Sequence, residues 1–245
     1  MRRRLALPIL LLSAGPAAAQ FPPDSTVNLE VFPKNIPVRE LINTMRGFTN
    51  ALGVRCQYCH IGEEDEPLSE FDFVSDDMPA KLKAREMLRM VGRINGEWLA
   101  ALPRRGTPAV EVTCVTCHRG QARPVMLEDL LAQVRDSAGT DGAVARYREL
   151  RGRFFGGFTY DFGPRPVNAA AGRMLQAGHP ADARTMLGLN VEFHPDDPQA
   201  FTLLGQAELA LGDTAAAVVA IERALALQPE NPMLRQLLGR LRPGG

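Results

Sequence analysis

Two Cys-x-x-Cys-His segments, Cys56-Gln57-Tyr58-Cys59-His60 and Cys114-Val115-Thr116-Cys117-His118, use all four cysteines and two of the four histidines of a 245-residue chain. Each has the form that attaches haem c covalently: two thiols bond the macrocycle and the adjacent imidazole takes one axial face of the iron. Two other readings compete. A zinc ribbon spaces its cysteine pairs by about 15 to 20 residues, whereas 54 residues lie between Cys59 and Cys114. Four thiols in an exported chain ordinarily form two disulfides, but a His directly after each pair favours haem. A thioredoxin-like site would need a βαβ context, and nothing here alternates with period two. The expected cofactors are two covalently bound haem c groups.

Arg2, Arg3 and Arg4, the apolar run Leu5 to Leu12, and Ala17-Ala18-Ala19 before Gln20 have the three-part build of a secretory signal peptide. Residues 1–19 are therefore expected to be removed, leaving 226 residues with no transmembrane segment, since the apolar run is too short to span a bilayer. The expected location is periplasmic or otherwise exported, where haem c is attached in bacteria. Loss of three arginines leaves 25 basic against 28 acidic residues. That balance argues against nucleic acid as a partner, which requires a concentrated positive surface.

The pattern predicts a mainly α protein: a dihaem cytochrome c domain of helix-turn-CxxCH units at 20–126, a helical and Gly/aromatic-rich connector at 127–163, and helical repeats at 164–243. His194-Pro195-Asp196-Asp197-Pro198 recurs as Gln228-Pro229-Glu230-Asn231-Pro232, and Leu204-Gly205 as Leu238-Gly239, both at a shift of 34 residues. This period is that of the tetratricopeptide repeat, which packs small residues against large ones across helix pairs. The unit from Pro198 resembles that family in Phe201, Leu204, Gly205, Ala217, Ile221, Ala224 and Pro229, and departs from it at Glu208, where an aromatic is usual. About two units and a closing helix at Met233 to Leu241 are expected, fewer than stacked repeats generally need, so support from the haem domain or from a partner is anticipated. In the connector, Leu127 to Val134 and Ala143 to Phe155 read as helices separated by the turn cluster Ser137 to Gly142. The crowded aromatics and glycines of 154–163 read as a hydrophobic plug that docks the repeats onto the first domain, or as a binding loop.

A haem iron takes a second axial ligand, and His179 and His194 both fall in the repeats, so methionine is the better candidate. Pro37 opens a helix from about Val38 to Leu52 that Gly53 ends, with Leu41, Met45, Phe48 and Leu52 on one stripe. Met45 is thus the candidate partner of His60. A second helix, capped by Ser75-Asp76-Asp77 ahead of Pro79, is expected to run to about Leu102. Its apolar stripe offers Met87 and, one turn on, Met90 as candidate partners of His118. Arg55, Arg119 and Lys81 read either as propionate partners or as solvated surface, and Glu63-Glu64-Asp65-Glu66 as a solubilising or steering loop.

From Thr44 to Pro124 the chain resembles the cytochrome c subunit of photosynthetic reaction centres and its non-photosynthetic relatives. The matching residues include Met45-Arg46-Gly47-Phe48-Thr49, Leu52-Gly53-Val54, Asp72-Phe73, Ser75-Asp76-Asp77, Ala84-Arg85-Glu86-Met87, Ile94-Asn95 and Val112-Thr113-Cys114 through Gly120. The resemblance implies Met45 as the ligand of haem 1 and Met87 as that of haem 2, with Met90 as second choice. It also implies an electron-transfer protein rather than an enzyme. The family's reaction-centre subunit carries four haems, whereas this chain has motifs for two, and the repeats are no part of that subunit. A compact domain of about 105 residues has a radius of gyration of about 13 Å, so two macrocycles inside it lie close enough to exchange electrons. The expected function is single-electron transfer between redox partner proteins that dock through the repeats. A haem peroxidase-like enzyme and a haem-based redox sensor or scaffold stand as alternatives, and the first would need an open iron position with a distal acid or base.

Overall fold

The computed structural model describes residues 21–23, 26–103 and 106–242. The signal-peptide assignment falls on residues 1–19, outside the described residues. The chain is mainly α, with one isolated β-bridge, Ile61 to Asp72, among the described residues. It divides into two compact units at Ala122–Arg123. No helix among the described residues is long and apolar enough to cross a membrane.

In the first unit, helix α1 (Val38–Leu52) ends at Gly53, whose φ of 66° lies in the left-handed region. Glycine is required there for a second reason: a Cβ would lie 2.1 Å from the Gly120 carbonyl oxygen. Gly120 N–H in turn donates to Ala51 O at 2.8 Å. The end of α1 and the chain leaving the second Cys-x-x-Cys-His segment are therefore in backbone contact.

Helix α2 (Pro79–Arg93) begins at the expected proline, but its cap differs from the sequence reading. Met78 occupies the N-cap and makes no side-chain capping bond. The Ser75-Asp76-Asp77 cluster is used elsewhere: Ser75 Oγ accepts from Asp77 N–H, while Asp76 binds Arg85, Lys81 and Asn28. The helix also ends sooner than expected. The α pattern stops at Arg93, and a π-helical stretch covers Ile94–Leu99, a widening that is rare and frequent at functional sites. Asn95 lies in it and pairs both ways with Val112, Nδ2 donating to Val112 O and Oδ1 accepting from Val112 N–H, each at 2.8 Å.

The second unit starts with α4 (Leu127–Phe154), the short α3 (Cys114–His118) belonging to the first. The turn cluster expected at Ser137 to Gly142 is a single break within one helical run: only Gly139, at φ 76° and ψ 175°, leaves the helical region. The repeats follow as α5 (Pro164–Gln176), α6 (Pro180–Phe193), α7 (Pro198–Ala210), α8 (Thr214–Leu227) and α9 (Pro232–Leu241). Prolines at 164, 198 and 232 open the first helix of each turn of the 34-residue period. Asp197 and Asn231 cap α7 and α9 by accepting from backbone N–H groups, contacts worth about 1 kcal/mol each. Gly205 lets α7 approach α8, because a Cβ there would lie 2.6 Å from Ile221 Cδ1.

The connector helix supports the short repeat array from within this unit, a contact that the sequence pattern did not suggest. Leu127, Leu131, Ala143, Tyr147 and Leu150 of α4 are buried in the same core as Val167, Ala171, Met186 and Leu187. The aromatic segment joins them: Phe162 is 5% exposed and packs edge-on to Tyr147, with ring centroids 5.7 Å apart. Arg151 lies over the Phe155 and Phe193 rings at 3.9 and 4.5 Å. Tyr160 and Phe162 thus pack into the core of their own unit, whereas Phe155 and Phe158 are exposed, Phe155 beside a shallow cavity.

Candidate functional site

Both Cys-x-x-Cys-His segments close as single helical turns, which brings residues three and four apart to one face. In the first, a 3₁₀ turn over Cys56–Tyr58 lets Cys59 N–H and His60 N–H both donate to Cys56 O, at 3.1 and 3.0 Å. The second is α3, opened by a capping box in which the Thr113 and Thr116 side chains bind each other's backbone N–H groups. Arg119 and Gly120 then reverse the chain at φ 50° and 81°. The Asn95–Val112 pair fixes the approach to Cys114 from the other side.

The two imidazoles have different surroundings. His118 Nδ1 lies 2.8 Å from Gln121 O; a carbonyl only accepts, so Nδ1 carries the proton and Nε2 keeps its lone pair for a metal. Hydrogen bonding of the distal ring nitrogen to a carbonyl is the usual way a ligating imidazole is oriented. His60 Nδ1 is buried without a hydrogen-bond partner. Burial, followed by the Lys81 charge, pushes its pKa down to about 4 against an opposing contribution from Asp72, so the ring is neutral. The Phe73 ring packs against it at 4.9 Å with an interplanar angle of 65°, and Phe71 stacks behind Phe73 at 5.7 Å.

The donor set fits haem c better than zinc. The four thiols are free, and no three His, Cys, Asp or Glu side chains gather as a metal cluster among the described residues. Burial raises the pKa of Cys59 and of Cys114, so both are neutral thiols here. The helices also carry apolar faces without protein cover. Helix α2 has no buried residue, and its Leu82, Met87 and Met90 are 45%, 43% and 40% exposed. Met45 is half-buried on its stripe. The near-equal exposure of Met87 and Met90, one turn apart, gives no preference between them.

Residues 24–133 match the sequence model of the photosynthetic reaction centre cytochrome C subunit. The matched region holds both Cys-x-x-Cys-His segments, Met45, Met87 and Met90. Residues 198–241 match the tetratricopeptide repeat. Among curated relatives, cytochrome c-554 of Chloroflexus aurantiacus is 35% identical over 126 residues, covering 51% of this chain and 27% of that protein. The photosynthetic reaction center cytochrome c subunit of Thermochromatium tepidum is 32% identical over 114 residues, covering 46% and 24%. The chain thus spans about a quarter of the length of the curated relatives it matches. Among solved structures, the first TPR domain of human RPAP3 shares 21% identity over 47% of this chain and 86% of that one, with a TM-score of 0.34.

The remaining candidate residues divide clearly. Arg55 pairs with Glu64 at 2.7 Å in full solvent, and Glu66 accepts from Glu63 N–H within its own loop. Arg119 is an exposed residue of the reversal after His118. Lys81 is neither a solvated nor a free cation. Its side chain is 12% exposed, and Nζ donates to the carbonyls of Phe73, Val74 and Ser75 at 3.0, 2.9 and 2.8 Å. No sequence signal marks the role of Asn95, and the Ser75-Asp76-Asp77 cluster is not the helix cap it resembles. A run of capping-type residues followed by Lys81 and Arg85, one helical turn apart, was the available signal.

Proposed function

We propose that the chain is an exported dihaem c-type cytochrome that passes single electrons between redox partner proteins. Cys56 and Cys59 would attach haem 1, and His60 and Met45 would hold its iron. Cys114 and Cys117 would attach haem 2, and His118 and Met87, or second Met90, would hold its iron. Haem c, when bound, supplies a one-electron iron couple whose potential depends on axial ligands, burial and hydrogen bonding. The chain's own residues bind and orient: each helical turn aligns two thiols with an imidazole, the Gln121 carbonyl fixes the His118 tautomer, and the stripes of α1 and α2 offer apolar cover and a thioether. The observation that carries this reading is the pairing of two complete Cys-x-x-Cys-His turns with uncovered, methionine-bearing helices inside the region that matches the cytochrome family. The names of the relatives support electron transfer over substrate chemistry, and the repeats suggest docking of a protein partner.

The test is a haem-to-protein ratio with absorption spectra of the secreted protein. Two haems per chain, both low-spin with a methionine-to-iron charge-transfer band, are expected, and Met45→Ala and Met87→Ala should each turn one haem high-spin. A ratio well below two, or a wild-type haem that is high-spin and binds cyanide or peroxide rapidly, would overturn the proposal.

A further inference from the structure

We infer that Lys81 is a positioning residue for the first haem site, fixing the segment that packs on His60 and holding a positive charge beside that imidazole, so that it raises the reduction potential of haem 1 relative to haem 2. The inference rests on the dihaem reading above. An ammonium has three N–H donors, and those of Lys81 meet three consecutive carbonyls, of Phe73, Val74 and Ser75. The first belongs to the residue whose ring lies against His60. Helix α2, which carries Met87, thus immobilises a side chain at the other motif.

The charges around it are unevenly placed. Asp76 Oδ1 lies 3.2 Å from Lys81 Nζ, but the same carboxylate is shared with Arg85 at 2.9 Å and with Asn28 Nδ2 at 2.9 Å. Asp72 is turned to its own loop, its Oδ1 accepting from Val74 and Ser75 N–H at 2.8 and 2.9 Å. Asp72 carries the opposing charge on the same loop, and its bonds go to backbone N–H groups rather than to Lys81. A positive charge held in a poorly solvated place disfavours the oxidised iron, which carries one more charge than the reduced iron. At His118 the ring nitrogen instead donates to the neutral carbonyl of Gln121.

The experiment is a spectroelectrochemical titration of the holoprotein and of Lys81→Met, Lys81→Gln and Lys81→Arg, with Met45→Ala identifying which couple belongs to haem 1. Met and Gln should lower the haem 1 midpoint, up to roughly tenfold in the reduced-to-oxidised ratio at fixed potential, or ~59 mV for a one-electron couple. The haem 2 midpoint should stay, and Arg should retain more of the haem 1 value than Gln does. Gln keeps N–H donors for the carbonyls and carries the comparison if Met does not fold. Two low-spin haems whose potentials ignore Lys81, or shift together, would overturn this inference alone. A protein without two low-spin haems would instead overturn the reading beneath it.

Discussion

Replacing Gly53 by alanine should damage the first unit more than any ordinary glycine substitution. An L-residue at φ 66° costs about 1–2 kcal/mol. The added Cβ would sit 2.1 Å from Gly120 O, which is backbone and cannot swing aside. Relief requires the chain after His118 to move off α1, which strains or breaks the 2.8 Å bond from Gly120 N–H to Ala51 O, a further ~1 kcal/mol. The sum is about 2–3 kcal/mol. Gly106→Ala is the control in the same unit: its φ is 83°, but the nearest atom to a Cβ is Pro108 O at 3.6 Å, so only the conformational part, about 1–2 kcal/mol, is expected. Guanidinium unfolding of the holoprotein, followed by haem absorbance, reports on this unit alone. Equal shifts for Gly53→Ala and Gly106→Ala would refute the close-approach argument.

Asp76 is held at about 2 against an ordinary 3.8, first by the Arg85 hydrogen bond and then by Lys81 and Asn28. The unfolded chain binds the extra proton between those values, so the carboxylate's contribution is full above 3.8 and is lost as pH falls towards 2; Asp76→Asn should flatten the acid limb of a stability-against-pH curve, and an unchanged limb would count against the cluster. Leu131 is fully buried with the repeats, so Leu131→Ala should cost about 2–5 kcal/mol in thermal unfolding of the second unit, whereas a loosely attached connector would leave the transition unmoved. Glu208 is 8% exposed, its Oε2 makes no hydrogen bond, and the nearest cation recorded is Arg184 at 3.7 Å. Glu208→Leu should therefore stabilise the repeats by about 1 kcal/mol, and a loss of stability would show that the ion pair contributes more than its burial costs.

Periodicity and chain punctuation located α1 closely, because an isolated stripe bounded by Pro37 and Gly53 leaves little freedom. The 34-residue recurrence likewise gave the prolines that open α5, α7 and α9. What escaped were side chains acting over distance. Ser75-Asp76-Asp77 looks like a cap locally, but two cations one turn apart on α2 compete for Asp76 and win it. Asn95 interrupts no pattern, and its bond to Val112 crosses 17 residues, so only the fold reveals it. Ser137 to Gly142 contains the residues of a loop, yet tertiary packing of Leu131 and Ala143 keeps the helix going through all but Gly139. For the proposed haem sites, the cysteines and histidines stand out in the sequence because haem c attachment would impose a fixed spacing. The choice between Met87 and Met90 is not, since both share one helix face.

The repeat unit has unlike ends. Toward α4 its core is continuous, running from Leu127 through Met186 to Ala207, whereas Ile221, Ala224, Leu234 and Leu238 form a separate small cluster joining α8 to α9. In an array where each helix pair is stabilised mainly by its neighbours, opening begins at the thinner boundary. Amide hydrogens of α9 should therefore exchange first and those of α4 and α6 last. The array would behave as a spring clamped at one end, with its C-terminal turn the segment whose order a bound partner could most readily change.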